Sequence, residues 1–390
     1  MLKSYLPDTR PQHGFIEGFC GAGGMTLGLQ RAGLVPLLAF DIDAPAVQTH
    51  NNNLGGHAFV GDAREVTGPT LLNRAGISQG ELALFAGGPP CQGFSKQRRG
   101  GHLGDERNDL VGHYIRLIEE IKPRFFFFEN VAIFGQKRGR EYVREMYDRL
   151  TGYIIDFSFV NSADYGLAQT RERFLVVGRR LDQQVSFTFP AGEGHRWPTV
   201  GEVLRGLPEP PNDYSEHPKY ANHQRARVTE ENIRRFSFVP EGGGWQDIPY
   251  ELRLPCHQRV DTSSGGWPDV YGRLAWNGQC PTITGGFDSF TRGRYGHPKA
   301  DRPLTPREAA RLQGFPDSFR FIGTRADIRS QIGNAVPPPL AEAVGLEILR
   351  SLRCADGCLV DDRPANSLCE TATEYGTNSR RRRKPASLPT

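Results

Sequence analysis

One cysteine in the chain stands where a nucleophile could be held. Cys91 lies in the run GGPPCQGFS, residues 87–95, behind the apolar stretch Leu82 to Phe85. A short apolar run that stops at glycine and proline reads as a buried strand breaking into a rigid loop. Pro89 and Pro90 fix the backbone angle φ just ahead of Cys91, so its thiol is held in place. By residue type alone a lone cysteine is a small buried hydrophobe more often than a reactive group. The Pro-Pro frame, followed by polar Gln92, Ser95, Lys96, Arg98 and Arg99, turns the reading toward a nucleophile.

Two further groups could act with it. In Phe125 to Asn130, four phenylalanines drive a strand into the core and leave Glu129 at its tip. An apolar setting raises a glutamate pKa, which favours a protonated acid near neutrality. In Gln169-Thr170-Arg171-Glu172-Arg173 the two arginines alternate with Glu172, which puts both guanidiniums on one face of a strand. The basic, glycine-flanked segment from Ser95 to Arg107 has the composition of a lid.

A separate cluster reads as a ligand cradle. The loop Gly21-Ala22-Gly23-Gly24 follows the strand-like residues 15–19 and lets a ligand approach the backbone closely. It lacks the Gly-Lys-Ser/Thr of a triphosphate loop and the Gly-x-Gly-x-x-Gly of a dinucleotide loop. A nucleoside-type cofactor without phosphate remains. Asp41, at the end of the second strand, is placed for ribose hydroxyls. Asp62, at the end of the third, is placed for an adenine amino group, and Phe19 and Ile42 offer apolar faces for the purine. Taken singly these acids are helix caps and solvated strand ends; at successive strand ends they point to one site.

The elements that must position these groups alternate. Strand signals at 15–19, 34–43, 57–63, 82–85, 124–130 and 173–180 are separated by helical stretches, including Met25 to Arg31, Ala44 to Asn53 and 113–121. This spacing predicts βαβ units and an α/β fold with a mostly parallel sheet, whose ligands sit at the carboxyl ends of the strands. From 183 to 297 the periodicity dissolves into Gly, Pro, Arg, His and aromatic residues, as in an irregular inserted domain. A helix is predicted over 303–315, with Thr305 as N-cap and Pro306 at its first position, and a proline-led terminal helix over 333–352. The blocks are therefore 1–182, 183–297 and 298–353, with a polar tail, 354–390, read as disordered. The tail carries the basic run Arg380 to Lys384, which could grip a polyanion or be a solvated face.

The totals narrow the class. A chain of 390 residues has room for two domains, and 48 basic against 44 acidic residues leave a formal charge of +4. That balance permits a polyanionic partner without requiring one. Seven scattered cysteines fit reduced thiols better than a disulfide framework, and the late trio Cys354, Cys358 and Cys369 lacks a fourth ligand at zinc spacing, so no metal is expected. No apolar signal core opens the chain and no stretch approaches the ~20 apolar residues of a membrane span, so a cytoplasmic protein is expected.

The motifs FCGAGG, GGPPCQGFS, ENV, QTRER, LTPREAARLQGFPDSF and QIGNAVPPPL occur here in this order. Together they resemble the DNA (cytosine-5)-methyltransferase family, over residues 15–178 and 302–345. Asp105, Arg107, Asn108 and Leu110 also match the family's run after the Pro-Cys loop. The resemblance implies a Rossmann-like S-adenosylmethionine-dependent methyltransferase fold with an inserted target-recognition domain. It also implies S-adenosyl-L-methionine as cofactor and a cytosine of double-stranded DNA as substrate, flipped out of the helix at a cost of a few kcal/mol. Cys91 would then add to carbon 6 of cytosine, so that carbon 5 can take up the methyl group. Glu129 would meet ring nitrogen 3, and Arg173, supported by Arg171, the base oxygen. Pro89, Asn334 and Val336 would join Phe19, Gly21, Gly23, Gly24, Asp41, Ile42 and Asp62 around the cofactor. Gln92 would fill space near the extruded base, Ser95, Lys96, Arg98 and Arg99 would face phosphates, and Thr282 the target backbone, from the element Pro281-Thr282-Ile283-Thr284, where isoleucine replaces the family's leucine. The expected setting is a monomer acting in a restriction-modification system, with a cognate endonuclease, or a solitary or phage enzyme. Two other readings compete. A tRNA methyltransferase on the same fold would carry a Cys-Phe-Thr element that is absent here, and a decayed DNA-binding regulator would not keep Cys91, Glu129 and Arg173 intact.

Overall fold

The computed structural model describes residues 13–90, 110–192, 196–259 and 269–360. Cys91, Gln92, Ser95, Lys96, Arg98 and Arg99 lie outside these, as do Cys369 and the Arg380 to Lys384 run. The first half builds a sheet from β1 (Gly14–Gly18), β2 (Val35–Asp41), β3 (Ala58–Val60), β4 (Leu84–Gly87), β5 (Phe125–Val131), β6 (Tyr153–Asn161) and β8 (Glu172–Arg180). The two-residue β7 (Gln169–Thr170) precedes β8 and belongs to a second, small sheet. Helices α1 (Gly24–Arg31), α2 (Ala44–Leu54), α3 (Gly68–Ala75), α4 (Leu110–Ile121) and α5 (Arg140–Arg149) connect the strands.

The sheet runs in the order β3-β2-β1-β4-β5-β8-β6. Its first five strands pair in parallel, and β8 lies antiparallel to both β5 and β6. Chain order reverses beside β1, where β2 leaves to one side and β4 to the other. In open α/β sheets a crevice forms at such a point. The predicted parallel α/β sheet is the observed one. Strand β6, helices α3 and α5 and the antiparallel placement of β8 were not expected.

Periodicity explains the layers. In α4, Val111, Tyr114, Ile115, Ile118 and Ile121 recur on one helical face and are buried. With Leu71, Val143 and Met146 they cover one side of the sheet. Strand β5 is buried on both faces, Phe126 and Phe128 on this side and Phe125 and Phe127 on the other, which is why it reads as an unbroken apolar run. The Tyr114 hydroxyl donates to the Phe127 carbonyl at 2.9 Å, tying α4 to the strand that carries Glu129.

The second half holds α6 (Val200–Leu204), α7 (Glu230–Phe236), α8 (Pro255–Gln258), β9 (Cys280–Pro281), α9 (Pro306–Leu312), α10 (Arg325–Asn334) and α11 (Pro338–Ala355). Between 183 and 297 the described elements are short, and β9 pairs in parallel with β7. Phe236, Val239, Trp245, Ile248, Tyr271 and Phe290 form a small core of their own. Helix α9 has the predicted Thr305 cap, and Glu308 completes a capping box. The proline-led terminal helix expected over 333–352 is α11, which begins only at Pro338: residues 333–334 still end α10, a helix that was not expected, and prolines 337–339 cannot supply the amide hydrogens that would continue it. The residues from Ala335 to Pro337 form an extended connection, and α11 starts after it.

Helix α11 returns to lie on α1, with Leu340, Ala341, Val344 and Ile348 against Met25 and Leu29. No helix among the described residues is long and apolar enough to cross a membrane. The two helices meet at Gly28, where a methyl group would overlap the Pro338 carbonyl oxygen and approach Ala341 Cβ to 2.6 Å. Gly28→Ala should therefore destabilise the protein by about 1–3 kcal/mol, the usual cost of overpacking, seen as a lower urea midpoint with an unchanged slope.

Candidate active site

The glycine loop is shaped by β1 and β2. Phe19 leaves β1 with φ 58°, in the left-handed region, a conformation costly for an aromatic residue. The Cys20 N–H donates to the Phe40 carbonyl at 3.1 Å. Asp41 then locks the turn: it accepts the Gly21 N–H on one oxygen at 2.8 Å and the Asp43 N–H on the other at 2.9 Å. Burial pushes the Asp41 carboxyl up, against these two bonds. Gly21 has φ 50° and open space where a side chain would stand. Ile42 and Val60 beside it are apolar yet 62% and 55% exposed.

Asp62 sits past the end of β3. Its carboxylate accepts the Arg64 backbone N–H at 2.9 Å and the Arg64 guanidinium at 3.0 Å, and these bonds hold it below the usual carboxylate range. The open side of the cradle is closed by the connection between α10 and α11. A side chain on Gly24 would overlap the Val336 carbonyl oxygen, so the glycine lets residues 312 positions apart touch. Asn334 is exposed, and its amide donates to the Ser330 hydroxyl at 3.1 Å.

The second cluster gathers around the base of the Pro-Cys loop. Glu129 and Arg173 are both buried, and the Arg173 Nε lies 2.7 Å from Glu129 Oε1. Glu129 is thus in an ion pair, so its setting is not only the apolar one expected from the four phenylalanines; β8, inserted antiparallel beside β5, brings the charged neighbour. A methyl group on Gly88 would stand 3.4 Å from Glu129 Oε2 and 3.9 Å from Val336 Cγ2. The Asn130 amide donates to the Pro89 carbonyl at 3.0 Å, a buried bond that anchors the segment entering Cys91.

The two arginines do not serve one group. The regular strand breaks at Arg171, between β7 and β8, so simple alternation does not carry across it. Arg171 is fully buried, and its guanidinium donates to the carbonyls of Ile283 at 3.0 Å, Gly333 at 3.1 Å and Ala335 at 2.9 Å. The Gln169 side chain accepts the Ile283 N–H at 2.8 Å and donates to Gln313 at 2.8 Å. The Thr282 hydroxyl donates to the Thr170 carbonyl at 2.9 Å. Sequence reasoning did not single out Asn130, Gln169 or Gln313. Asn130 follows Glu129 in ENV and Gln169 opens QTRER, so their place in the motifs was the available signal.

Beneath the glycine loop runs a buried polar chain, of which Thr26 and His50 were not singled out from the sequence. Glu17 is hydrogen-bonded to the Thr26 hydroxyl, and Thr26 to His50 at 3.1 Å. Burial pushes the Glu17 carboxyl up to about 8 and the His50 imidazole down to about 3. Burial also raises the thiols of Cys20 and Cys280, leaving both protonated and inert.

The model of C-5 cytosine-specific DNA methylases matches residues 14–350. The chain belongs to that family. It is a DNA (cytosine-5)-methyltransferase. Among its relatives, the type II methyltransferase M.XorII of Xanthomonas oryzae is 34% identical over 87% of this chain and 85% of its own length. M1.HphI of Haemophilus parahaemolyticus is 33% identical over 86% of each. Among solved structures, a candidate DNA modification methyltransferase from an E. coli prophage superposes with a TM-score of 0.65 at 28% identity, covering 87% of this chain and 99% of that one. The S. pombe Dnmt2 methyltransferase, at 17% identity and a TM-score of 0.54, shares the fold.

Two outcomes follow for the methylase. Asn130→Ala frees the Pro89 carbonyl and should lower kcat about tenfold while the melting temperature changes little, since one hydrogen bond contributes about 1 kcal/mol. Glu17 has a raised folded pKa, so its contribution to stability is fully present below the unfolded value near 4.5 and is lost as pH rises toward 8. Glu17→Gln should flatten the fall in stability between those values, measured by denaturation at pH 5 and pH 8.

Proposed function

We propose that this methylase modifies a specific sequence in double-stranded DNA inside a bacterial cell, as the modification partner of a type II restriction endonuclease. Relatives above 30% identity, M.XorII and M1.HphI among them, bear type II methyltransferase names, and this supports the reading. The observation that carries the site assignment is the convergence of four distant segments, Gly88, Glu129, Arg173 and Val336, at the base of the Pro-Cys loop.

The residues fit S-adenosyl-L-methionine. A backbone cradle open at Gly21, an acid at a strand end and exposed apolar Ile42 suit a nucleoside without phosphates. Phe19, Gly21, Gly23, Gly24, Asp41, Ile42, Pro89, Asn334 and Val336 would hold it. Asp62 would reach its amino group with Arg64 still on the carboxylate. When bound, the cofactor supplies an electrophilic methyl group.

Cys91 adds as a thiolate to carbon 6 of a flipped cytosine and moves electron density to carbon 5. Glu129 faces ring nitrogen 3 and relieves the charge that develops there. Arg173 keeps Glu129 oriented and reaches the base oxygen. Arg171, with no free face toward a base, acts by holding the surrounding backbone. Loss of the carbon-5 proton later breaks the bond to Cys91. Residues 183–297 recognise the target, with Thr282 near the nucleotide's backbone. Gln92 fills the space left by the base, and Ser95, Lys96, Arg98 and Arg99 contact phosphates.

Incubation with methyl-labelled S-adenosylmethionine and either duplex DNA or tRNA tests the reading. Label should enter DNA alone, at carbon 5 of cytosine, and bisulfite sequencing should place it at one recurring sequence. Cys91→Ala should reduce incorporation by at least about a thousandfold. Label in tRNA alone, or full activity in the Cys91 variant, would overturn the assignment.

A further inference from the structure

Helix α10 touches both halves of the site. Its last residue, Asn334, belongs to the turn proposed to hold the cofactor. Its other residues lock the 282–289 segment that follows β9, on the DNA side of the proposed site. Three contacts make the lock. A methyl group on Gly333 would overlap the backbone nitrogen of Gly285 and lie 2.6 Å from the Thr284 carbonyl carbon, so the two backbones pack directly on each other. Asp288, buried, pairs with Arg325 at 2.6 Å and with Arg329 at 3.1 Å, both on α10. Arg171 bonds at once to Ile283 in the segment and to Gly333 and Ala335 in the turn.

We propose that α10 is a rigid link through which occupancy of the cofactor turn sets the position of residues 283–289, with Asp288 as the positioning residue. This inference rests on the cofactor reading given above. The physical reason is that nothing compressible lies between the two ends. The contacts are backbone against backbone, a carboxylate shared by two guanidiniums and a buried arginine on three carbonyls. A ligand that orders the turn must then order the segment too, and by linkage the segment's ligand must favour the cofactor. Asp288 touches neither ligand in this scheme, so its effect is distinct from loss of a contact.

Hydrogen–deuterium exchange of the full chain, with and without S-adenosylhomocysteine, tests this without knowledge of the DNA sequence. In the wild type the ligand should slow exchange at residues 19–24 and 334–336 and also at 283–289. About fivefold or more is expected there, the lower end of typical site-to-site coupling. Asp288→Asn should keep the protection at 19–24 and 334–336 and lose it at 283–289, and Asp288→Glu should restore it. Should Asp288→Asn fail to fold, Arg329→Gln, which leaves Arg325 on Asp288, carries the same expectation. Gly333→Ala should uncouple as well, whereas Gly285→Ala, whose added methyl meets nothing closer than 3.8 Å, should not. Protection of the cofactor residues without 283–289 in the wild type, or coupling unchanged in the Asp288 and Arg329 variants, overturns the proposal. Absence of protection everywhere overturns the cofactor reading and the coupling with it.

Discussion

Much of this structure depends on buried guanidiniums that satisfy backbone carbonyls where no sheet or helix can. Arg171 holds the carbonyls of Ile283, Gly333 and Ala335. Arg273 does the same for Phe236, Val239, His297 and Ala300, and Arg307 for Ala221, Pro316 and Phe319. A buried carbonyl needs a donor, and the described residues between 183 and 335 hold few strands to supply one. A planar fork with five N–H groups reaches several carbonyls from one side chain. Desolvation pushes the Arg171 guanidinium well below its ordinary value. Its charge is offset by the oxygens it meets and by Glu129 nearby.

The pair of Glu129 and Arg173 follows from sheet order. Strand β8 lies antiparallel to β5 and brings Arg173 opposite Val131, two residues past Glu129. A parallel neighbour at that position would have carried a different side chain to the carboxylate. The carboxyl therefore does not stand alone in the apolar core. It is held in one orientation by a cation. Asn130 extends the same logic to Pro89, so the strand that presents Glu129 also anchors the segment that leaves β4.

The cofactor cradle and the chain's return are equally interdependent. Gly24 and Gly28 allow the 336–341 segment to come within contact of α1, and this brings the Asn334 turn back to the first βα unit. The pocket is incomplete until almost the whole chain has been laid down. A loop near residue 20 and a turn near residue 335 thereby come into contact.

The sequence by itself determined the parallel α/β core, because alternating apolar strands and periodic helices are local patterns that tertiary contacts reinforce. The motif residues at the ends of β1, β2, β4 and β5 were legible for the same reason: each follows an apolar run that stops abruptly. The Thr305 cap was also legible, since a capping box is spelled within four residues. What the sequence could not show was partnership. Nothing local says that Arg171 serves carbonyls more than 100 residues away while Arg173, two positions on, meets a carboxylate. Nor does it say that the connection between α10 and α11 turns back onto Gly24, or that Asp288 is clamped by α10. These depend on which segments the fold brings together. Long-range pairing of buried polar groups is decided by the accounting of donors and acceptors in three dimensions, which no local spacing records.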